Sequence, residues 1–304
     1  MTANDSHNPN TPECGYAVTI GTFDGVHRGH LRVLDTLRKA AAQRGLRPLA
    51  ITFDSHPLTV IAPERTPPAI MSTDRKIELL RNEGVDYQLI DFTPMTARMS
   101  ASGWMRVLHD YQNVKCIVIG FDNTFGHDGR SLSPDDYIRI GAEIGIDVVV
   151  AGRIDGISSS AIRRAIGAGE IEKANEMLSE PFTLDGTVVE GDHIGRSLGV
   201  PTANLRLSAP DNRLLPPCGV YASETLLPDG RILPSLTDIG RRPTLRNPNP
   251  ELRIETHIPG FDGDLYGKRI EVKLLRPMRP EMKFDSLDAL KKQLHDDIRL
   301  RMEN

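Results

Sequence analysis

Gly21-Thr-Phe-Asp-Gly-Val-His-Arg-Gly-His30 lies between a short apolar stretch, Tyr16–Gly21, and an amphipathic one. The apolar stretch is predicted to be a strand. The amphipathic stretch is predicted to be a helix that ends at Gly45, because four apolar residues share one face: Leu31, Leu34, Leu37 and Ala41. Glycines let a backbone approach phosphate oxygens, and the amino end of a helix offers unpaired N–H groups to an anion. The ten residues therefore predict a phosphate-binding loop between a strand and a helix.

Outward from this loop, strands and helices alternate as far as residue 151. This alternation predicts an α/β, Rossmann-like domain: a parallel sheet with helices on both faces and a ligand crevice at the carboxyl ends of its strands. The further strands are predicted at Leu49–Phe53, Tyr87–Ile90, Val114–Gly120 and Asp147–Ala151, and the further helices at Lys76–Glu83, at Trp104–Tyr111 and after Ser133.

The pattern changes after Arg163. Two short helical stretches, Ser159–Ile166 and Ile171–Leu178, lead to Glu180-Pro181, where we place a domain boundary. Short strands bounded by Gly, Pro and Asp-Gly turns then predict a closed or nearly closed antiparallel β-barrel. These strands are predicted at Thr183–Glu190, Gly219–Leu226, Arg231–Leu236, Leu252–Ile258 and Arg269–Leu275. A C-terminal amphipathic helix is expected to pack on the barrel through Leu287, Leu290, Leu294 and Ile298.

Length and charge agree with two globular domains. At roughly 150 residues per domain, 304 residues suggest two, and we assign a flexible tail at 1–13, an α/β domain at 14–180 and a barrel domain at 181–304. Lys and Arg number 37 against 41 Asp and Glu, which gives a net charge of −4. This balance lacks the basic excess that a nucleic-acid partner favours.

Cysteines and apolar runs indicate the compartment. Cys14, Cys116 and Cys218 match neither a disulfide framework nor a metal-ligand spacing, and they fit a reducing environment. The polar start lacks the features of a signal peptide, and the longest apolar runs are too short to span a bilayer. We therefore expect a cytoplasmic protein without a nucleic-acid or membrane partner; the sequence is compatible with an oligomer.

Two segments of the α/β domain carry candidate anion-binding groups. His27 and His30, three residues apart, fall on one face of the first helical turn and can point at the same phosphate, although such a pair is more often a solvated or capping pair. Gly156-Ile-Ser-Ser-Ser-Ala-Ile-Arg163 places three hydroxyls at a helix start with an arginine one turn later. This second segment forms either another anion cradle or a simple N-cap.

The barrel domain contains a glycine-rich segment, Gly191-Asp-His-Ile-Gly-Arg-Ser-Leu-Gly-Val-Pro-Thr-Ala-Asn204. Its glycines, Gly191, Gly195 and Gly199, recur at every fourth position. They suit either a loop that folds over phosphates or a plain turn. Thr202 and Asn204 point to one side of an extended chain, and their oxygen atoms are ligands that a nucleotide-bound Mg²⁺ accepts.

Together, the loop Gly21–His30 and the serine segment resemble the adenylyltransferase module of bacterial bifunctional riboflavin kinase/FAD synthetases. Thr52–Pro57 and Gly120–Gly126 fall where that family carries two further motifs, with Ser55 in place of the usual Pro and Asn123 where Phe is common. The resemblance assigns ATP binding to Gly21, Phe23, Asp24, Gly25, His27, His30, Ser158, Ser159 and Arg163. It assigns flavin binding to His56, Asp122, Asn123 and Phe125.

This resemblance implies attack of an FMN phosphate oxygen on the α-phosphorus of ATP, with release of pyrophosphate. His27 and His30 would donate to the triphosphate, and Arg163 would hold the departing phosphates. No protein nucleophile is required, so catalysis would consist of positioning and charge stabilisation.

A second set of motifs resembles the riboflavin kinase domain of the same family, from about Pro181 to the C-terminal helix. Gly219-Val-Tyr221, Ile239–Thr244, Ile254–His257, Leu265–Lys268 and Arg279–Asp285 occur in the expected order, and Asp238 stands where Asn is often found. The resemblance implies that Thr202 and Asn204 bind Mg²⁺ and that Glu255 is the general base for the riboflavin 5′-hydroxyl. It further implies a phosphate-binding loop with Gly191, Gly195, Arg196 and Gly199, and flavin contacts from Arg279 and Phe284.

The function that follows is bifunctional: ATP and riboflavin give FMN and ADP, and ATP and FMN give FAD and pyrophosphate, with Mg²⁺ at both sites. Flavins would be substrates and products and not prosthetic groups. Ser55 and Asn123 leave two alternatives, a chain in which only the kinase is active and a flavin-binding regulator that has lost catalysis. A nucleotidyltransferase acting on another substrate would leave the second domain unexplained.

Overall fold

The computed structural model describes residues 14–303 except 122–123, 192–194, 196–197, 209–211 and 245–246, with only the backbone described for 241–244 and 247–251. The predicted tail at 1–13 lies outside these residues. Contacts divide the chain into two compact units. The sheet unit comprises residues up to Pro68 and Thr73–Ser158, and the barrel unit comprises Ala69–Ser72 and the chain from Ser159 onward.

The sheet unit contains a five-stranded parallel sheet in the order β3-β2-β1-β4-β5, which confirms the predicted architecture. Its strands are β1 (Tyr16–Ile20), β2 (Arg47–Phe53), β3 (Asp86–Ile90), β4 (Val114–Ile119) and β5 (Asp147–Val150). Its α-helices are α1 (Arg28–Arg44), α2 (Leu58–Ile61), α3 (Thr73–Asn82), α4 (Pro94–Ala97), α5 (Ala101–Gln112) and α6 (Pro134–Ile144). Short 3₁₀ turns occupy Pro63–Arg65 and Gly129–Ser131.

Alternate residues of the strands build separate cores on the two faces of the sheet. Ala17 of β1 packs with residues of α1 and α3, whereas its neighbour Val18 packs with residues of α5 and α6. Helix α1 buries Leu34 and Leu37 against the sheet and ends at Gly45, whose φ of 64° suits a residue without Cβ. Strands β2 and β3 are added on one side of β1, and β4 and β5 are added on the other side. The β1–α1 loop therefore lies at the point where the order of strand addition reverses, which is where open sheets bind ligands.

The barrel unit contains a closed six-stranded barrel in the order β10-β7-β6-β11-β8-β9. Its strands are β6 (Thr183–Val189), β7 (Thr202–Leu207), β8 (Gly219–Leu226), β9 (Ile232–Thr244), β10 (Asn247–His257) and β11 (Arg269–Pro280), and its helices are α7 (Ser159–Gly167), α8 (Ile171–Met177) and α9 (Leu287–Glu303). The predicted antiparallel barrel is confirmed. Sequence reasoning did not list β7 among the strands, because its polar start was interpreted only as extended chain.

Helices α7 and α8 pack with the barrel. Ile162, Ile166, Ile171 and Ala174 are fully buried in the same core as the strand residue Leu184. The division by contacts therefore precedes α7, ahead of the sequence boundary at residue 180, because the apolar faces of the two helices cover the barrel. The sequence boundary itself stays a prediction.

Helix α9 follows the predicted apolar stripe only in part: Leu290, Leu294 and Ile298 are partly buried, and Leu287 is exposed. Leu287 is 66% exposed, whereas the buried side chains of the helix are Asp297 and Arg301. Arg301 donates to the carbonyl oxygen of Ser223 at 3.0 Å. The prediction of Leu287 as a packing residue is wrong, because this first residue of the helix is exposed, whereas the three apolar residues further along are partly buried.

A buried charge cluster ties the segment Ala69–Ser72 to the barrel. Asp185 is 1% exposed and accepts from Ser72 Oγ at 2.9 Å and from Arg269 at 3.1 Å, while the buried Arg213 guanidinium lies 3.6 Å away. Removing one member of a buried ion pair leaves the other charge uncompensated, which costs about 3–5 kcal/mol.

We therefore expect Asp185→Asn to lower the free energy of unfolding of the barrel unit by about 3–5 kcal/mol in denaturant titrations. Asp229→Asn is the matched control, because Asp229 pairs with Arg231 on the surface, with side chains 53% and 59% exposed. It should leave the unfolding midpoint unchanged. Equal midpoints for both variants would show that the cluster contributes no stability.

Candidate active sites

The β1–α1 loop is held in a strained turn. Phe23 and Val26 have φ angles of 48° and 31°, values that side chains with a Cβ rarely adopt, and Gly25 between them has a φ of 89°. Both side chains are buried, and the Val26 N–H donates to the Phe23 carbonyl oxygen at 3.1 Å. Strain of this kind persists where packing enforces it, commonly at functional sites. Here it turns the chain sharply into helix α1.

His27 and His30 form a reciprocal cap at the start of α1. Nδ1 of His27 accepts from the His30 N–H at 3.2 Å, and Nδ1 of His30 accepts from the His27 N–H at 3.3 Å. The rings stack with centroids 3.6 Å apart. The capping interpretation of this pair is thus confirmed. Because each Nδ1 accepts, each neutral ring carries its proton on Nε2, the atom suited to donate to a phosphate.

The electrostatic surroundings keep His30 neutral. Burial, followed by the charges of His27 and Lys76, holds the pKa of His30 well below its usual 6.5. Gly29 allows the stacked arrangement, since a Cβ at this position would lie 3.0 Å from Nδ1 of His27. At neutral pH His30 is therefore neutral and donates from Nε2.

The other predicted residues of the first site occupy varied positions. His56 begins α2, where its Nδ1 accepts from the Leu58 N–H at 3.1 Å. Phe125 is 8% exposed and packs on Tyr137, whose hydroxyl bonds both backbone polar groups of Phe125. The flavin contact of Phe125 stays a prediction.

Asp122 and Asn123 lie outside the described residues. Gly21 and Asp24 belong to the β1–α1 loop, Ser158 ends the sheet unit, and Ser159 and Arg163 lie on α7.

Sequence reasoning missed Lys76, in the first turn of α3. Its Nζ donates to the carbonyl oxygen of Phe53 at 2.7 Å, at the carboxyl end of β2, and the side chain is buried. A lysine in the first turn of a helix opposes the helix dipole. That mismatch was a usable signal.

In the barrel unit, strand pairing gathers the predicted kinase residues on one face. Glu255 of β10 lies between Asn204 of β7 and Asp238 of β9, and His257 lies opposite Thr202. Residues directly opposite each other on paired strands point to the same face. The Thr202 hydroxyl donates to Glu255 Oε2 at 3.5 Å. The structure thus brings Thr202, Asn204 and Glu255 together.

Charged neighbours and burial affect the protonation of the side chains on this face. Arg253 Nε lies 3.3 Å from Glu255 Oε1. Burial raises the pKa of Asp238 to about 6, with Arg253 opposing the shift and Glu281 and Glu255 adding to it. Nδ1 of His257 bonds the carbonyl oxygen of Pro201 at 2.8 Å. Since a carbonyl only accepts, that nitrogen carries the proton.

Thr202 lines two cavities, and Glu255 lines only the first of them. The first, of about 310 Å³, is lined by Glu255, the predicted residues Gly195, Arg279 and Phe284, and three apolar residues of α9: Leu290, Leu294 and Ile298. The second, of about 580 Å³, lies between β7, β10 and the segment Phe261–Tyr266. Both volumes are within the range of small-ligand sites.

Arg279 is fixed by a residue that sequence reasoning missed. Its guanidinium contacts the buried carboxylate of Asp297 at 2.8 and 2.9 Å and lies over the Phe284 ring at 5.9 Å. Asp297 stands between Leu294 and Ile298 on α9, and its role depends on how that helix meets β11. No signal in the sequence alone identified it.

The donor groups near Thr202 fit Mg²⁺. The Thr202 hydroxyl, the Asn204 side-chain carbonyl and the Glu255 carboxylate are all hard oxygen donors. Among the described residues, no group of three or more His, Cys, Asp or Glu side chains is placed to hold a metal ion. In nucleotide sites Mg²⁺ commonly takes part of its coordination from the phosphates.

The predicted glycine loop is packed against these groups. A Cβ on Gly191 would overlap the side-chain amide of Asn204, and a Cβ on Gly195 would overlap the carbonyl oxygen of Val200. Gly199 has a φ of 80° and open space around it. Arg196 lies outside the described residues. Two of the three glycines are thus required by close approach.

We expect Gly191→Ala to lower riboflavin phosphorylation at least tenfold, because the added methyl displaces the Asn204 amide by steric overlap. Gly167→Ala, where a Cβ meets nothing within 4 Å, is the matched control and should retain the rate. FAD formation from supplied FMN should stay unchanged in both variants. A Gly191→Ala protein with the full phosphorylation rate would contradict the placement of Asn204 in the site.

The fold and the two sites define a nucleotide-dependent transferase with one candidate site in each unit. The family model described as FAD synthetase matches residues 10–162, and the riboflavin kinase model matches residues 178–303. The chain therefore belongs to the family of bifunctional riboflavin kinase/FMN adenylyltransferases.

Curated relatives with that name cover nearly the whole chain. The Escherichia coli K12 protein is 35% identical over 94% of this chain and 91% of its own length. The Bacillus subtilis protein is 31% identical over 92% and 89%. A solved structure from Streptococcus pneumoniae, described as a macrolide-efflux protein, is 30% identical, covers 96% of both chains and has a TM-score of 0.84. None of the helices in the described part of this chain combines the length and apolar character needed to cross a bilayer.

Proposed function

We propose that the barrel unit transfers the γ-phosphoryl group of ATP to riboflavin and that the sheet unit transfers the adenylyl group of a second ATP to the resulting FMN. The observation that carries this proposal is the arrangement of Glu255 beside Thr202 and Asn204, next to two cavities that share Thr202. Family membership supports both activities.

In the kinase step, Glu255 accepts the proton of the riboflavin 5′-hydroxyl, whose oxygen then attacks the γ-phosphorus while ADP leaves. The smaller cavity suits the flavin, because α9 and Phe284 give it apolar walls. The larger cavity suits ATP. Thr202 and Asn204 would hold Mg²⁺, which would supply positive charge to the phosphates during the transfer.

In the adenylyl transfer step, an FMN phosphate oxygen attacks the α-phosphorus of ATP and the pyrophosphate leaves. His27 and His30 donate from Nε2 to the phosphate oxygens, because their Nδ1 atoms are occupied by the helix cap. Neutral donors stabilise the transition state without a proton transfer, and preorganised donors of this type are effective in sites that exclude water. Ser158, Ser159 and Arg163 are proposed to bind the remaining phosphate oxygens.

Supplying FMN, ATP and Mg²⁺ without riboflavin tests the adenylyltransferase half. We expect FAD and pyrophosphate in equal amounts. EDTA should stop this reaction and also the phosphorylation of riboflavin, and added Mg²⁺ should restore both. FAD formation no faster than without protein would leave the kinase as the only activity and would refute this half of the proposal.

A further inference from the structure

Lys76 lies where a phosphate-binding loop and a strand end meet. Its helix, α3, follows β2, and the ammonium group donates to the last carbonyl of that strand, on Phe53, at 2.7 Å. Only 7% of the residue is exposed. An ammonium group has three hydrogens, and this bond uses one of them. The other two N–H donors of Lys76 therefore also lie at the carboxyl edge of the sheet.

The charged groups around Lys76 come from three elements. Asp24 is in the β1–α1 loop, Asp54 follows β2, and His30 is on α1; both aspartates favour the charged lysine, and the lysine in turn disfavours protonation of His30. Burial outweighs the aspartates and lowers the pKa of Lys76 to about 8. A buried ammonium group is costly to maintain unless an anion completes its surroundings.

We propose that Lys76 binds the phosphate groups of the nucleotide in the sheet unit, as a charged donor beside the neutral donors His27 and His30. This inference rests on the proposed adenylyltransferase function. It gives the site a positive charge, whereas each histidine accepts a backbone N–H at Nδ1 and donates only from Nε2. The expected ligand is the triphosphate of ATP, whose negative charge grows on the leaving pyrophosphate during the reaction.

Substitutions of Lys76 distinguish phosphate binding from a contribution to packing. Lys76→Met is expected to lower kcat/KM for FAD formation from FMN by about 10²–10³-fold, while riboflavin phosphorylation in the barrel unit stays unchanged. Denaturant unfolding reports whether the sheet unit of the variant is folded. Lys76→Arg keeps the charge and should lose less than Lys76→Met. Lys39→Met is the matched control, because Lys39 lies on α1 with a side chain 68% exposed and should retain full activity.

Proton uptake gives a readout that a packing role would not change. Burial lowers the pKa of Lys76 to about 8, so ATP binding at pH 8 should draw in a fraction of a proton as the phosphate stabilises the ammonium form. Calorimetry with ATP in buffers of different ionisation enthalpy measures this number. The uptake should occur in the unaltered protein and in Lys39→Met, and it should be absent in Lys76→Arg, whose guanidinium is always charged.

Equal proton uptake by the unaltered protein and Lys76→Arg would overturn the inference, even if Lys76→Met proves inactive or unfolded. Full adenylyl transfer by Lys76→Met would also overturn it. Failure of the unaltered protein to form FAD would instead refute the proposed function of the sheet unit. The two failures are therefore distinguishable.

Discussion

Glu255→Gln is expected to lower the rate of riboflavin phosphorylation by about 10²–10⁴-fold, because an amide cannot accept the hydroxyl proton in the transition state. Gln has nearly the same shape as Glu and keeps an oxygen for the Thr202 hydroxyl, which donates to Glu255 at 3.5 Å. The barrel should therefore remain folded, and FAD formation from supplied FMN should keep its rate. Product chromatography with riboflavin or FMN as substrate measures both effects.

Glu281→Gln provides the control for this experiment. Glu281 lines the same cavity as Glu255, but it lies outside the row that joins Asn204, Glu255 and Asp238. If any carboxylate in the cavity contributes equally, both variants will lose the same activity. The proposed mechanism requires that only Glu255→Gln loses it by orders of magnitude; a Glu255→Gln protein that phosphorylates riboflavin normally would exclude Glu255 as the base.

His30→Asn should lower adenylyl transfer by about 10²–10³-fold with little change in stability. The Asn side-chain oxygen can stand where Nδ1 stands and accept from the His27 N–H, so the cap at the start of α1 is retained. The donor on Nε2 is lost. His30→Ala removes both functions and should cost about 1 kcal/mol of unfolding free energy in addition.

Comparing the two His30 variants separates capping from catalysis. Denaturant unfolding should rank His30→Asn near the unaltered protein and His30→Ala below it, while both are impaired in FAD formation. Riboflavin phosphorylation should be intact in both. Normal FAD formation by His30→Asn would show that the histidine pair serves only as a helix cap.

The elements that sequence reasoning predicted well have strong local signals. Helix α1 shows a 3.6-residue apolar period and a glycine at its end, and each strand of the parallel sheet is a short apolar run between turns. Strand β7 was missed although Thr202-Ala-Asn-Leu-Arg-Leu207 alternates polar and apolar residues, because it contains few β-branched or aromatic residues. Its pairing with β6 and β10 forms the strand, and this pairing is a property of the closed barrel.

The candidate site residues also fall into two groups, those with a local sequence signal and those without one. Motif residues such as Glu255 and His27 could be identified from the residues next to them in the sequence, and the resemblance to a known family supplied their roles. Asp297 and Lys76 are defined by contacts across the fold, with Arg279 and with the end of β2. Leu287 illustrates the converse: it fits the apolar stripe of α9, yet as the first residue of the helix it is exposed.

Mixing two inactive variants tests most directly whether each unit carries its own active site. Supplied with riboflavin, ATP and Mg²⁺, His30→Asn should accumulate FMN and stop, and Glu255→Gln should form neither product. The mixture of the two proteins should produce FAD, since FMN released by one is adenylylated by the other. Failure of His30→Asn to accumulate FMN, or the absence of FAD from the mixture, would contradict two separate sites.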